Sequence, residues 1–133
     1  MIKKVLVLCT GNSCRSIIAE AQINAFLDGV EAKSSGVKAS GKVNQYAKKV
    51  LEEHGIWRDE YRSKVLDEVF DEDFDLVITV CDNAKETCPM FPRAVKKIHV
   101  GFVDPDGEGY EAFEKLYSEI EAVLLPKIKE ILE

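Results

Sequence analysis

The feature that most constrains the fold is a continuous apolar run, Val5 to Leu8, that leads directly into the stretch CTGNSCRS, Cys9 to Ser16. Short apolar runs of this kind are typical of a strand buried on both faces of a parallel sheet. From Arg15 onward, apolar residues recur at helical spacing until Asp28-Gly29 closes the segment. The sequence therefore predicts a strand, a tight loop and a helix in direct succession.

Strand and helix signals alternate along the rest of the chain, and no short hairpin turn separates two strands. The predicted elements are a short strand at 33–35, a helix capped by Asn44 and ended by Gly55, a shorter helix at 65–70, strands at 75–80 and 97–100, and a long C-terminal helix that Pro126 should kink. We therefore predict an α/β fold in which residues 1–133 form a single domain, with a four-stranded parallel sheet flanked by helices on both faces.

Composition narrows the classes of function. The chain has 133 residues, 46% of them hydrophobic, and a net charge of -6. One domain of this size can bury a core without disulfides, and the acidic balance argues against nucleic-acid binding. No run approaches the roughly 20 apolar residues that a membrane span requires, and no secretory signal is expected after Met1. We therefore expect a cytoplasmic protein with no membrane or nucleic-acid partner.

Four cysteines in a reducing compartment indicate catalysis, redox chemistry or a metal site more than a disulfide framework. A structural zinc site fits poorly, because successive cysteines are separated by four and six residues instead of the usual two, and Arg15 would lie beside the metal. We predict neither a bound metal nor a bound cofactor.

The residues from Cys9 to Ser16 have the chemistry of an oxyanion site. Gly11 would let a tight loop turn its N–H groups toward one centre, and the dipole of the following helix would add positive potential. The guanidinium of Arg15 could hold two oxygens of a tetrahedral ion. The same field would favour the thiolate of Cys9 and make it a nucleophile. The predicted oxyanion-binding residues are Thr10, Gly11, Asn12, Ser13, Cys14, Arg15 and Ser16, with the Cys14 side chain buried as a small hydrophobe.

Two further residues fall just past predicted strand ends, Cys81 and Asp104. In parallel sheets, ligands bind beyond the carboxyl ends of the strands. Cys9, Cys81 and Asp104 are therefore expected on one rim of the sheet, although they are distant in sequence.

Together these residues resemble the low-molecular-weight protein tyrosine phosphatase superfamily and, within it, the thioredoxin-coupled arsenate reductases. The similarity rests on the motif CTGNSCRS, the segment Thr79 to Pro89 with its two cysteines, and the segment Gly101 to Pro105. It covers essentially the whole chain. Two cysteines seven residues apart after a later strand make this likeness more specific than a cysteine and an arginine at this spacing alone.

The resemblance implies a role for each catalytic candidate. Cys9 would attack arsenate, Arg15 would stabilise its oxygens, and Asp104 would protonate the departing oxygen. Cys81 would then attack the adduct and Cys88 would resolve the first disulfide, leaving a pair that thioredoxin reduces. Ser16 would hydrogen-bond the thiolate and Asn12 would hold the strained loop. A monomer is expected.

Two other readings remain open from the residues. The protein could be a phosphatase that hydrolyses phosphate monoesters through a Cys9 phosphoenzyme, with Cys81 and Cys88 only protecting Cys9 from oxidation. An arsenate reductase with this loop is expected to keep residual phosphatase activity. A non-catalytic oxyanion or redox sensor is disfavoured, because a sensor has no need of the general acid Asp104.

The spacing of the two later cysteines adds a conformational expectation. If residues 81 to 88 were helical, seven steps of about 1.5 Å would place the two Cα atoms roughly 10 Å apart, whereas a disulfide needs about 4.4 to 6.8 Å. We therefore expect residues 81 to 90 to rearrange on oxidation.

Overall fold

The computed structural model describes residues 2–81, 96–105 and 107–132. Within them, four strands form one parallel sheet in the order β2-β1-β3-β4. The strands are β1 (Lys3–Cys9), β2 (Val30–Gly36), β3 (Leu76–Thr79) and β4 (Lys96–His99). The helices are α1 (Arg15–Phe26), α2 (Gln45–Glu53), α3 (Tyr110–Glu119) and α4 (Leu125–Leu132). The predicted α/β class and four-stranded parallel sheet are confirmed.

The central strand is β1, which pairs with β2 on one side and β3 on the other. Its residues Val5 to Leu8 have no solvent-exposed surface. Because alternate side chains of a strand point to opposite faces, both faces of β1 are covered. The continuous apolar run thus reflects burial from both sides, as the sequence predicted.

Helix α1 is also buried on most of its circumference, with a continuous buried stretch from Ser16 to Ile23. It packs on β1 and β2, and it also contacts α2 and the C-terminal helices. Such a helix lies between layers of structure and has no solvated face over this stretch. Its first residue, Arg15, is consequently held firmly at the carboxyl end of the sheet.

Helix α2 follows its sequence signals closely. The Asn44 side chain caps it by accepting a hydrogen bond from the Tyr46 amide at 2.8 Å. Gly55, with a φ of 73°, follows its C-terminal end. His54 lies at that end, and its ring stacks on Tyr117.

Two predicted elements differ from the structure. The second strand is longer than 33–35, because its whole length pairs with β1. The segment at 65–70 forms only a short 3-10 helix, Leu66–Glu68. Val65 bridges Gly36 and is extended, so a helix cannot begin there. The five residues that remain, 66–70, are too few to offset the cost of helix nucleation.

The C-terminal helix carries the irregularity expected from Pro126. A π-helical turn, Ile120–Leu124, separates α3 from α4 and ends just before this proline. Pro126 has no N–H to donate to the carbonyl of Ala122, and its ring crowds that carbonyl. A wider turn accommodates both effects without breaking the helix. Within the residues described, no helix has the length and apolar character needed to cross a membrane.

Candidate functional site

The loop between β1 and α1 is anchored through its carbonyl groups. The carbonyl oxygens of Cys9, Thr10, Gly11 and Ser13 accept hydrogen bonds from backbone amides of residues 37–44, at 2.9 to 3.1 Å. In a trans peptide, the carbonyl and the next N–H point in opposite directions. The following amides, those of residues 10, 11, 12 and 14, therefore turn toward the centre of the loop, as an oxyanion site requires.

The sulfur of Cys9 lies at the base of this loop, and the residue is 2% exposed. It accepts a hydrogen bond from the Asn12 amide at 3.1 Å, and the Ser16 hydroxyl lies 2.9 Å from it. Both groups can donate to the sulfur and would stabilise negative charge on it. The pairing of Cys9 with Ser16 that the resemblance implied is present in the structure.

Asn12 holds the loop from beneath. It is fully buried and has a φ of 51°, a left-handed conformation that is costly for most side chains. Its Oδ1 accepts from the backbone amide of Lys64 at 2.8 Å, while its Nδ2 donates to Ser16 at 2.7 Å and to Ser34 at 2.9 Å. Since an N–H faces Oδ1, the orientation of the side-chain amide is fixed. These three bonds stabilise the conformation.

Gly11 does not have the steric role in the loop that the sequence predicted. Gly11 has no positive φ, and a Cβ placed there would make only an ordinary contact, 3.5 Å from Ser13 Oγ. The steric demand falls on Gly36, where a Cβ would lie 2.6 Å from the carbonyl oxygen of Thr10. Because Gly36 ends β2 beside Cys9, the absence of its side chain lets the strand approach the loop.

The mouth of the site is formed by Arg15 and the segment after β4. Arg15 Nη2 lies 3.4 Å from Asp104 Oδ2, and Nη1 donates to the carbonyl of Phe102 at 3.2 Å. The Arg15 side chain is 12% exposed and that of Asp104 is 51% exposed. The predicted general acid is thus beside the predicted oxyanion ligand. An incoming anion would compete with Asp104 for the guanidinium.

Cys81 lies on the same rim, next to the loop. The register of β1 with β3 pairs Leu8 with Thr79, so two more residues along each strand bring Thr10 next to Cys81. The Thr10 hydroxyl and the Cys81 sulfur are 3.2 Å apart. Cys81 is 5% exposed and, with Arg15 and residues 101–103, lines an open cleft of about 420 Å³.

Of the two remaining cysteines, Cys14 is buried and Cys88 lies outside the described residues. Cys14 directly precedes α1 and is 3% exposed, with its sulfur 3.6 Å from the Ser13 hydroxyl. This agrees with the prediction of a small buried side chain. Cys88 lies outside the described residues, and so does most of the segment 81–90 that we expect to rearrange.

A second set of residues, to which the sequence alone assigned no catalytic role, lies behind the loop. Ser34 accepts from Asn12 and donates to Glu20 Oε1 at 2.5 Å, while Ser63 donates to the carbonyl of Gly11 at 3.0 Å. Burial raises the pKa of Glu20 to about 7, and the nearby positive charge of Lys64 opposes that rise. A carboxylate within the otherwise buried run of α1 was the available signal for this set.

A family model and a known protein both match almost the whole chain. A model of the family described as low molecular weight phosphotyrosine protein phosphatase matches residues 4–132. The chain is 40% identical over 121 residues to arsenate reductase 1 of Bacillus cereus, and the match covers 90% of each chain.

Two crystal structures extend this similarity to three dimensions. The arsenate reductase from Archaeoglobus fulgidus superposes with a TM-score of 0.76 at 31% identity, covering 89% of this chain and 93% of that one. The low molecular weight protein tyrosine phosphatase from T. tengcongensis superposes with a TM-score of 0.81 at 30% identity, covering 96% and 99%. The chain therefore resembles proteins named for two different reactions.

Proposed function

The chain belongs to the low molecular weight phosphotyrosine protein phosphatase family, and we propose that within this family it is an arsenate reductase. The observation that carries the proposal is the Cys81 thiol, which lies against Thr10 of the nucleophile loop and lines the cleft in front of it. A phosphatase needs one nucleophilic cysteine and water, whereas a reductase needs a second thiol close to the first. Similarity to a relative named arsenate reductase supports the same choice.

The first half of the reaction uses the loop. The Cys9 thiolate attacks arsenic, the inward amides and Arg15 hold the oxygens, and one hydroxyl leaves as water after Asp104 supplies a proton. A sulfur–arsenic bond has then formed and an arsenic–oxygen bond has broken. Arsenic is still in the +5 state.

The second half transfers the electrons. The Cys81 thiolate attacks the Cys9 sulfur, the sulfur–arsenic bond breaks, and its electron pair stays on arsenic, which leaves as arsenite in the +3 state. Strands about 4.8 Å apart with a one-residue offset of about 3.3 Å would put the Cα atoms of Cys9 and Cys81 about 6 Å apart, within the range of a disulfide. This spacing supports a Cys9–Cys81 disulfide.

Regeneration requires a third thiol and an external reductant. Cys88 attacks Cys81, which frees Cys9 and leaves a Cys81–Cys88 disulfide, and the dithiol of thioredoxin reduces that pair. The reaction is compatible with a monomer in the cytoplasm, since each chain supplies all three thiols and the compartment keeps them reduced.

Hydrolysis of phosphate monoesters is the second candidate activity. The amides of the loop, Arg15 and Asp104 suit phosphate as well as arsenate, because both are tetrahedral oxyanions. The sequence from Asp106 to Gly109 places no tyrosine directly after the aspartate-proline pair. The aromatic side chains expected to pack against the ring of phosphotyrosine are therefore lacking at these positions. We therefore expect phosphate ester hydrolysis to be the minor activity of this protein.

The replacement of Cys81 by serine separates the two activities. We expect Cys81→Ser to stop thioredoxin-coupled arsenate turnover after the adduct forms, while hydrolysis of an aryl phosphate ester by Cys9 continues. NADPH oxidation through thioredoxin reductase measures the first activity, and phenolate release measures the second. Cys14→Ser is the matched control and should retain both. Normal arsenate turnover in Cys81→Ser would refute the relay.

A further inference from the structure

The hydrogen bonds beneath the loop have a defined direction. The Asn12 side-chain amide has two hydrogens, one donated to Ser16 and one to Ser34. Each hydroxyl therefore accepts from Asn12, which leaves its own hydrogen for the atom beyond: the Cys9 sulfur for Ser16 and the Glu20 carboxylate for Ser34. The relay is fully satisfied when both of its ends, Cys9 and Glu20, are negatively charged.

Lys64 contacts the same relay through its backbone and affects it through its charge. Its amide donates to Asn12 Oδ1, which fixes the orientation of the Asn12 amide. Its ammonium is the positive charge with the largest effect on Glu20. Burial lowers the pKa of Lys64, and Glu20 opposes that change. Each of the two side chains therefore favours the ionised form of the other in a partly desolvated place.

We propose that Glu20 and Lys64 are positioning residues for the nucleophile: the Lys64 ammonium favours the ionised form of Glu20, and the Glu20 carboxylate, by accepting the Ser34 hydrogen, stabilises the relay that ends on Cys9. If Glu20 takes up a proton on Oε1, the oxygen that faces Ser34, the new hydroxyl competes with Asn12 as a donor to Ser34, and the Ser34 hydrogen loses this acceptor. The Asn12 amide is then held less firmly against Ser16. The inference rests on the proposed role of Cys9 as nucleophile.

The surroundings of Glu20 leave Lys64 as the main source of compensation. Glu20 is 5% exposed and lies in the wall of a cleft of about 530 Å³ behind the loop. The charged and titratable groups that face it are Lys33 from β2 and Glu60, Tyr61 and Lys64 from the segment after α2.

Six other charged groups of this cleft form ion pairs with one another. The Lys33 ammonium donates to both oxygens of Glu72 at 2.8 and 2.9 Å. At the rim, Arg58 and Arg62 pair with Glu60 and Glu68. Lys33 offers the same change of charge as Lys64 in the same cleft, yet its backbone does not contact Asn12 in the described contacts. It is therefore the matched control.

The test measures the rate at which iodoacetamide alkylates Cys9, followed by mass spectrometry from pH 5.5 to 9 in a Cys14→Ser background. If loss of Lys64 raises the pKa of Glu20 by about one, the ionised fraction at pH 7 falls from about a half to about a tenth. We therefore expect Lys64→Met to slow alkylation about fivefold at pH 7 and to move the profile toward higher pH. Lys33→Met should change the rate less than about twofold.

A second background tests whether Lys64 acts through Glu20. In Glu20→Gln, the side-chain carbonyl still accepts from Ser34 but no longer titrates. Adding Lys64→Met to Glu20→Gln should therefore change the rate less than about twofold, because the two effects are coupled. Lys64→Arg, which restores the charge, should recover most of the wild-type rate, and circular dichroism checks that each variant is folded.

Two results would overturn the inference: an alkylation profile of Lys64→Met that matches wild type, or an equal loss in the Glu20→Gln background. Alkylation is independent of arsenate, so the proposed function can fail separately. A protein with the expected alkylation profiles but no arsenate turnover would retain the relay and lose the assignment as a reductase.

Discussion

The two described thiols of the proposed relay stand in different surroundings. Cys9 lies in a loop whose carbonyls are bound at four positions and whose Asn12 is fully buried. Cys81 follows a strand end, and its sulfur meets a hydroxyl that belongs to the loop itself, that of Thr10. The oxyanion-binding half is therefore assembled in advance, and the Thr10 side chain joins it to Cys81.

The difference suits the proposed chemistry. Charge stabilisation is effective when donors are already in place, because no reorganisation is needed as the charge develops. Cys81 has the opposite requirement, since it must bond first to Cys9 and then to Cys88. A thiol anchored as firmly as Cys9 would oppose that exchange of partners.

The largest expected effect on stability concerns the oxyanion-binding loop. Asn12→Ala removes three side-chain hydrogen bonds and leaves an alanine with a positive φ, so we expect a loss of about 4 kcal/mol in the free energy of unfolding. Urea denaturation measures it. The matched control is Asn44→Ala, which removes only a helix cap and should cost about 1 kcal/mol. Equal losses in the two variants would mean that the loop is not specially anchored.

The next effect concerns pH. Burial raises the pKa of Glu20 from 4.5 to about 7 in the folded state. Between these values the native state binds more protons than the unfolded state, so its stability decreases as pH rises and levels off above about 7. The ionisation of Glu20 lowers the free energy of unfolding by about 3 kcal/mol in total over this pH range. Glu20→Gln should flatten this part of the curve in urea titrations at pH 4, 5, 6, 7 and 8, and an unchanged slope would contradict the assignment.

A smaller effect examines how closely the sheet approaches the loop. The Cβ of Gly36→Ala would press on the Thr10 carbonyl, and the expected cost in the free energy of unfolding is about 2 kcal/mol. Gly11→Ala is the control, because its Cβ makes only an ordinary contact and the backbone has no positive φ. Thermal unfolding should rank Gly36→Ala well below Gly11→Ala, and the reverse order would show that the loop depends on Gly11.

The smallest expected effect concerns the contact between the oxyanion-binding loop and Cys81. Thr10→Val keeps the shape of the side chain but removes the hydroxyl that meets Cys81. We expect arsenate turnover to fall about tenfold, the equivalent of one charge-assisted hydrogen bond, and hydrolysis of an aryl phosphate to fall less. Parallel assays on one preparation give the ratio. Equal decreases in both activities would place the role of Thr10 in oxyanion binding instead of the relay.

Local features of the sequence were enough to predict much of the fold. The apolar run of β1, the cap at Asn44 and the effect of Pro126 depend on residues within a few positions of each other. The length of β2 and the short 3-10 helix at Leu66 could not be predicted in this way. Both depend on pairing with strands or bridges elsewhere in the chain.

The same division applies to the site. The sequence by itself determined that Cys9 and Arg15 flank a loop at the start of a helix. The two residues are only six positions apart, between the end of a strand and the first turn of a helix, so they must lie close together. Only the tertiary structure brought Lys64 to Asn12, Cys81 to Thr10 and Asp104 to Arg15, across separations of 52, 71 and 89 residues. Hydrogen bonds and ion pairs act over a few ångströms in space, and periodicity along the chain carries no information about partners that only folding brings together.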